Sequence, residues 1–136
     1  MHKLKTYIVE DSQVIRESLI ATLEELAPVQ VVGTAEDESS AVIWLTRPGN
    51  LCDLVVVDIF LKGGSGLGVL RNIQGRMPGR KLVVLSNYAT TDMRRKCLEL
   101  GADKVFDKSN DIDALVQYCA RVVSGEAGAS GPAVLA

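Results

Sequence analysis

The sequence predicts an α/β fold in which five parallel strands form one doubly wound sheet with helices on both faces. Three observations carry that prediction. Short β-rich apolar runs alternate with longer stretches of helical periodicity, and the pair recurs five times. The short runs are continuously apolar rather than alternating, as strands covered on both faces require. A chain of 136 residues, 47% apolar and 24% charged, is also long enough to bury roughly 68% of its unfolded surface without disulfide or metal staples.

Each element has a local cause. Residues 4–9 form a short β-rich run, followed by the acidic pair Glu10 and Asp11. Residues 12–27 carry Ile15, Leu19, Leu23 and Leu26 at spacings of four, four and three. That is a helical stripe, and Pro28 stops it. Residues 29–34, with Val29, Val31 and Val32, read as a strand ended by Gly33. Residues 38–46 read as a short helix with Val42, Ile43 and Leu45, closed by Pro48 and Gly49. Residues 54–57 are a branched aliphatic run ending at Asp58, and Gly63, Gly64, Ser65 and Gly66 make a loop. A helix over 67–73 ends near Gly75 and Pro78, and a strand over 81–85 ends at Ser86. A helix over 90–100 has Gly101 just past its end. A strand over 103–107 ends at Lys108, and the last helix, 111–123, puts Ile112, Leu115, Val116, Cys119 and Val122 or Val123 on one face. No repeat or second domain is evident. Small residues from about 124 onward predict a flexible tail, with docking of Val134 and Leu135 as the alternative.

Right-handed crossovers leave few topologies. The flavodoxin-like order 2-1-3-4-5 suits five strands, whereas the full Rossmann order needs a sixth. Lys and Arg number 15 against 17 Asp and Glu, so the net charge is −2 and no basic field exists to hold nucleic acid. Direct DNA binding is not expected. Aromatics make up only 4% of the chain, so the core must be aliphatic. Three cysteines, Cys52, Cys97 and Cys119, fit reduced thiols in a reducing compartment. The longest apolar runs reach about five residues, far below the ~20 of a membrane span. The N-terminal apolar stretch is too short for a signal peptide. The expectation is a cytoplasmic protein with no membrane insertion.

In an open parallel sheet, ligands bind beyond the carboxyl ends of the strands, where the strand order reverses. Here that crevice lies between strands 1 and 3. Strand 1 ends in Glu10 and Asp11, strand 3 in Asp58, strand 4 in Ser86 and strand 5 in Lys108, while strand 2 ends outside the crevice. Neighbouring strands lie ~4.8 Å apart, so three carboxylates share one small space. Such charges repel, and a hard divalent cation resolves the conflict. Mg2+ takes oxygen ligands, commonly one or two carboxylates plus a phosphate oxygen. Lys108 lies two strand spacings from Asp58, a gap its long side chain largely covers, and it is a point-charge partner for carboxylate or phosphate. Ser86 sits between them with a hydroxyl donor. The set suits in-line phosphoryl transfer to Asp58, with the cation and Lys108 neutralising charge on the transferred group.

Each of these residues also has a plain structural reading. Asp11 or Ser12 caps the first helix, Asp58 and Ser86 are turn residues, and Lys108 is a solvated charge. Their joint placement on one rim favours the chemical reading. The glycine loop lacks the following Lys-Ser/Thr of a phosphate loop and reads as flexible, with Gly66 near a helix start. The lone His2 is terminal and solvated, so the phosphoryl group must come from another molecule. Cys97 and Cys119 have core spacing, and Trp44 is expected to pack on a helix rather than bind a base. The run Arg94-Arg95-Lys96 reads as a solvated face, with an acidic partner as the alternative.

Four segments reach further. They are Ile-Val-Glu-Asp-Ser at 8–12, Leu-Val-Val-Val-Asp at 54–58, Val-Val-Leu-Ser-Asn at 83–87 and Gly-Ala-Asp-Lys-Val-Phe-Asp-Lys at 101–108. With them the chain resembles the response-regulator receiver domains of two-component signalling, of the stand-alone chemotaxis-regulator type, over about residues 3–124. The strand order above is the one this family is known for. The resemblance implies a receiver domain over 1–124 and a flexible tail over 125–136. It implies that Glu10 and Asp11 hold Mg2+, with Asp11 a direct ligand. Asp58 would be the phosphoacceptor and a further ligand, and the backbone carbonyl of Phe60 would complete the metal site. Ser86 and Lys108 would bind the phosphoryl group. The donor would be a histidine kinase or histidine phosphotransfer protein, the downstream target an unknown protein. Signalling, or a homodimer, would use the face formed by helix 4, strand 5 and helix 5.

The chain departs from the family pattern in three places. Lys62 and Ser109 stand where Pro is frequent, and Ser109 removes the usual reason for a cis bond after the lysine. Val105 stands where a switch aromatic usually lies, and strand alternation points the adjacent Phe106 to the opposite face. The usual coupling of hydroxyl and aromatic is then weak or different, with Tyr88 a candidate substitute. Phe60 and Tyr88 lie two residues past the acceptor and past the hydroxyl. Large side chains there would shield an acyl phosphate from water, which predicts slow self-hydrolysis. The expected function is a single-domain regulatory phosphoacceptor, not an enzyme, whose output is a protein contact or a phosphate relay. Two rivals stand beside it. One is a phosphorylation-independent interaction module. The other is an aspartate-nucleophile phosphatase, which usually needs a second acid where Phe60 stands.

Overall fold

The computed structural model describes residues 2–76 and 79–125. Its elements alternate: β1 (Leu4–Val9), α1 (Gln13–Leu26), β2 (Val29–Ala35), α2 (Glu38–Thr46), β3 (Leu54–Val57), α3 (Gly66–Ile73), β4 (Lys81–Ser86), α4 (Thr91–Glu99), β5 (Lys104–Asp107) and α5 (Ile112–Ser124). The strands form one parallel sheet in the order β2-β1-β3-β4-β5, as the sequence predicts. Pro78 and the predicted tail beyond residue 125 lie outside the described residues.

Two apolar layers sandwich the sheet. Tyr7, Val9, Val55, Val57 and Val84 pack with Ala41 and Leu45 of α2, Val69, Leu70 and Ile73 of α3, and Cys97 of α4. On the other face Leu4, Ile8, Val56, Val83 and Leu85 pack with Leu19 and Leu23 of α1 and with Leu115, Tyr118 and Cys119 of α5. Every side chain of β3 is buried, which is why its run is continuously apolar. Cys52, Cys97 and Cys119 are all buried and free. The starts of α1 to α4 are set by side-chain caps. Ser12, Asp37, Ser65 and Thr90 accept from the backbone N–H groups of Ile15, Ser40, Gly68 and Met93.

Four sequence expectations need correction. Gly33 does not end β2. It lies inside the strand, next to a register shift that pairs Thr6 with Val31 but Tyr7 with Gly33. A Cβ on Gly33 would sit 2.9 Å from the Tyr7 ring, so the glycine makes room for an aromatic. That ring stacks on Trp44 with centroids 4.2 Å apart, so Trp44 packs on the sheet rather than on another helix. Only the middle of the α1 stripe is buried, with Leu19 and Leu23 covered and Ile15 and Leu26 exposed. In α2 the core contacts come from Ala41 and Leu45, while Ile43 is exposed. Among the described residues no peptide bond is cis, and no helix is long and apolar enough to cross a membrane.

Candidate functional site

The site grows from the register of three central strands. Val9 of β1 pairs with Val57 of β3, and Asp58 N donates to Val9 O at 2.9 Å. Glu10 and Asp58 therefore leave the sheet side by side. Both are buried, Glu10 at 2% and Asp58 at 7% exposure, with Asp11 half-buried beside them. One carboxylate oxygen from each of the three lies within 4.8 Å of the others. From the end of β5, Lys108 reaches across β4. Its Nζ donates to Glu10 Oε1 at 2.6 Å and to Asp58 Oδ2 at 3.0 Å.

Burial raises the pKa of Glu10, outweighing the hydrogen bonds from Lys108 and from Ser12 N that pull it down. Burial alone would lower Lys108, but its hydrogen bonds to Glu10 and Asp58 and their charges outweigh that, and its pKa is raised. The ammonium is thus held in its charged form. Three carboxylates against one ammonium still leave an excess of negative charge in a half-closed space. All the donors there are hard oxygens, a set that fits Mg2+. Phe60 N donates to Asp58 Oδ1 at 3.3 Å, which ties the loop after β3 to the Asp58 carboxylate. Among the described residues no hydrogen bond ends on the Phe60 carbonyl oxygen.

Ser86 ends β4 and is fully buried, so its hydroxyl is covered rather than open on the rim. Ser86 Oγ accepts from Tyr88 N at 3.0 Å, and Ser86 O accepts from Lys108 N at 3.0 Å. Phe60 and Tyr88 are 54% and 63% exposed and meet edge to face, with centroids 5.3 Å apart. Val105 is buried on the α2–α3–α4 side of the sheet. Phe106 lies on the other side, edge-on to Tyr118, as strand alternation requires.

Two arginines were not legible as structural parts of this region. Arg16 donates to Glu10 O at 2.8 Å. Arg94 is only partly solvated. Its guanidinium donates to Ala89 O at 3.0 Å and Val105 O at 2.8 Å, which ties α4 to β5. Backbone carbonyl acceptors carry no signature in residue identity, so no sequence signal pointed to either contact. Arg95 pairs with Asp92 on the surface, as expected of an exposed run.

The family model of the response regulator receiver domain matches residues 6–120. The chain belongs to that family. Phosphorylation on an aspartate is general for the family, and its receivers bind Mg2+ at an acidic pocket. This receiver is 29% identical over 101 residues to the DNA-binding transcriptional activator DevR/DosR of Mycobacterium tuberculosis, covering 73% of this chain and 45% of that protein. It is 25% identical over 123 residues to the response regulator UvrY of Escherichia coli, covering 90% and 56%. The receiver thus spans about half the length of these two relatives. A two-component response regulator of the LuxR family from Aurantimonas superposes with a TM-score of 0.80 at 26% identity, over 91% of this chain and 87% of that one. The receiver domain of NarL from Mycobacterium tuberculosis gives 0.77 at 20% identity, over 94% and 98%, a likeness of fold.

Proposed function

We propose that this receiver takes a phosphoryl group onto Asp58 from the phosphohistidine of a histidine kinase or phosphotransfer protein. Glu10, Asp11, Asp58 and the Phe60 carbonyl would hold Mg2+. The observation that most supports the reading is Lys108 bridging Glu10 and Asp58 inside the acidic cluster. In the transfer a carboxylate oxygen of Asp58 attacks phosphorus, the P–N bond breaks and the imidazole leaves. Bound Mg2+ supplies neutralisation of the charge on the phosphoryl oxygens. Lys108 is already in contact with the acceptor and adds its ammonium.

Ser86 would donate its O–H to a phosphoryl oxygen. Its Oγ now holds Tyr88 N, so recruitment of the hydroxyl pulls on the loop before α4. That pull would bias the α4–β5–α5 face between two states and so carry the signal to a protein target. A response regulator from Burkholderia pseudomallei, alike in fold with a TM-score of 0.71 at 22% identity, is described with a phosphorylated aspartic acid, calcium ion and citrate. The same acid–cation pairing is what we propose here. The reading places the domain in the cytoplasm, in line with three free buried thiols.

The deciding experiment is intact mass after incubation with a small phosphodonor, with and without Mg2+, on wild type and Asp58→Asn. One added phosphoryl group that needs both Mg2+ and Asp58 is expected. No addition would favour a phosphate-independent interaction module, a second reading supported by the buried Val105 in place of a ring. The Phe60–Tyr88 pair is proposed to shield the acyl phosphate. Phe60→Asn and Tyr88→Lys should each speed loss of the phosphoryl group, and unchanged lifetimes would remove that role.

A further inference from the structure

The glycine-rich loop between Asp58 and α3 is the sequence motif that the phosphoryl site leaves unused. Gly64 of this loop and Gly68 of α3 border one side chain. Glu38, the first residue of α2, sends its carboxylate into the loop. Its Oε1 accepts from Ser65 N at 3.0 Å and its Oε2 from Asn72 Nδ2 at 3.5 Å. Glu38 N donates to Gly63 O at 2.9 Å, and Asp37 and Gly63 form a β-bridge. A Cβ on Gly64 would lie 2.5 Å from Glu38 Cβ, and one on Gly68 would lie 2.2 Å from Glu38 Oε1. Both glycines leave the space that the glutamate fills.

The other side of the loop rests on the acceptor itself. A Cβ on Gly66 would sit 2.1 Å from the carbonyl oxygen of Asp58. Gly66 N donates to Ile59 O at 2.8 Å. The segment is therefore pinned between the Glu38 carboxylate and the backbone of Asp58 and Ile59. A loop this rich in glycine has wide conformational freedom of its own. A carboxylate accepting from a backbone N–H at a helix start is a strong, charge-assisted restraint on it.

We propose that Glu38 is a positioning residue: its carboxylate clasps residues 63–68 to α2 and so holds Asp58 and the Phe60 backbone in the geometry that receives Mg2+. The proposal rests on the reading of that cluster as the metal and phosphoacceptor site. Glu38 touches neither the metal donors nor the acceptor carboxylate, and it acts through Ser65 and Gly66.

The test compares Glu38→Ala, Glu38→Gln, Gly68→Ala and the double variant Glu38→Ala with Gly68→Ala. Two quantities are read on the full chain: amide hydrogen exchange over residues 59–68, and Mg2+ affinity by calorimetry. Losing one charge-assisted hydrogen bond should speed exchange at Ser65 by roughly tenfold or more, with β1 and β3 amides unchanged. Mg2+ binding in Glu38→Ala should weaken about threefold or more, since the ligand-bearing loop is then no longer held in place before the ion arrives. Glu38→Gln keeps an acceptor oxygen and should recover most of both effects. Gly68→Ala should expel the carboxylate and reproduce Glu38→Ala, and the double variant should be no worse than either single one. Faster exchange at Ser65 with unchanged Mg2+ affinity would leave only a structural clasp and overturn the positioning role. Additive effects of Glu38→Ala and Gly68→Ala would overturn the shared contact. Wild type that itself binds no Mg2+ would sink the reading of the cluster as a metal site, and the positioning role with it.

Discussion

Asp11 sits within 4.8 Å of two other carboxylates, yet among the described residues the ammonium of Lys108 bonds only Glu10 and Asp58. Its charge is therefore the least compensated of the three. Asp11→Asn should stabilise the Mg2+-free protein by about 0.5–1 kcal/mol, a modest figure because Asp11 is half exposed and screened. The same change should weaken Mg2+ binding at least tenfold. Thermal melts with and without Mg2+ would show both effects, and a drop in melting temperature without the ion would contradict the repulsion argument. At this scale the sequence was informative wherever a titratable group ends a strand. Glu10, Asp58 and Lys108 meet because strand order and register bring their ends together. Arg16, Arg94 and Glu38 were not legible, because their shortest hydrogen bonds are to backbone groups. The covered hydroxyl of Ser86 was also missed, because its burial depends on the path of the loop that carries Tyr88.

Within the elements, β2 shows how a local rule is overridden. A glycine after a run of valines reads as a strand end, but Gly33 stays in the ladder because the stacked rings of Tyr7 and Trp44 occupy the place of its side chain. Gly33→Ala would put a methyl group 2.9 Å from the Tyr7 ring. It should destabilise the fold by about 1–3 kcal/mol, as overpacking generally does. Urea unfolding would measure this, and a neutral result would mean that the stack moves aside freely. In α1 the periodicity was right and its extent was wrong. Ile15 and Leu26 keep helical spacing but are exposed at the two ends of the helix. In α5 the stripe was legible, while Tyr118 was missed because a tyrosine does not declare itself apolar.

For the molecule as a whole, the buried acids set the response to alkali. Burial lifts the Cys119 thiol from 9.0 to about 12, and the Tyr7 and Tyr118 phenols from 10.0 to about 12. The unfolded chain releases these protons at the ordinary values and the folded chain only later. Their contribution is fully present below pH 9 and is lost as pH rises toward 12. Lys108, raised from 10.5 by its two carboxylates, adds a loss of the same sign. The melting temperature should therefore fall progressively above pH 9, and Cys119→Ala should make that fall shallower. A flat profile up to pH 11 would contradict the burial of these groups.

The alternation of strands and helices, the parallel sheet and the residue types at each strand end were legible from the residues alone. Those features follow from hydrophobic period and chain connectivity, which are written locally along the chain. The folded chain settles that Gly33 stays in β2, that Ser86 is covered and that Arg94 is used by backbone carbonyls. It alone decided that Glu38 fills the space left by Gly64 and Gly68. Each of these depends on which backbone atoms a side chain meets across the fold, and no period or composition records that.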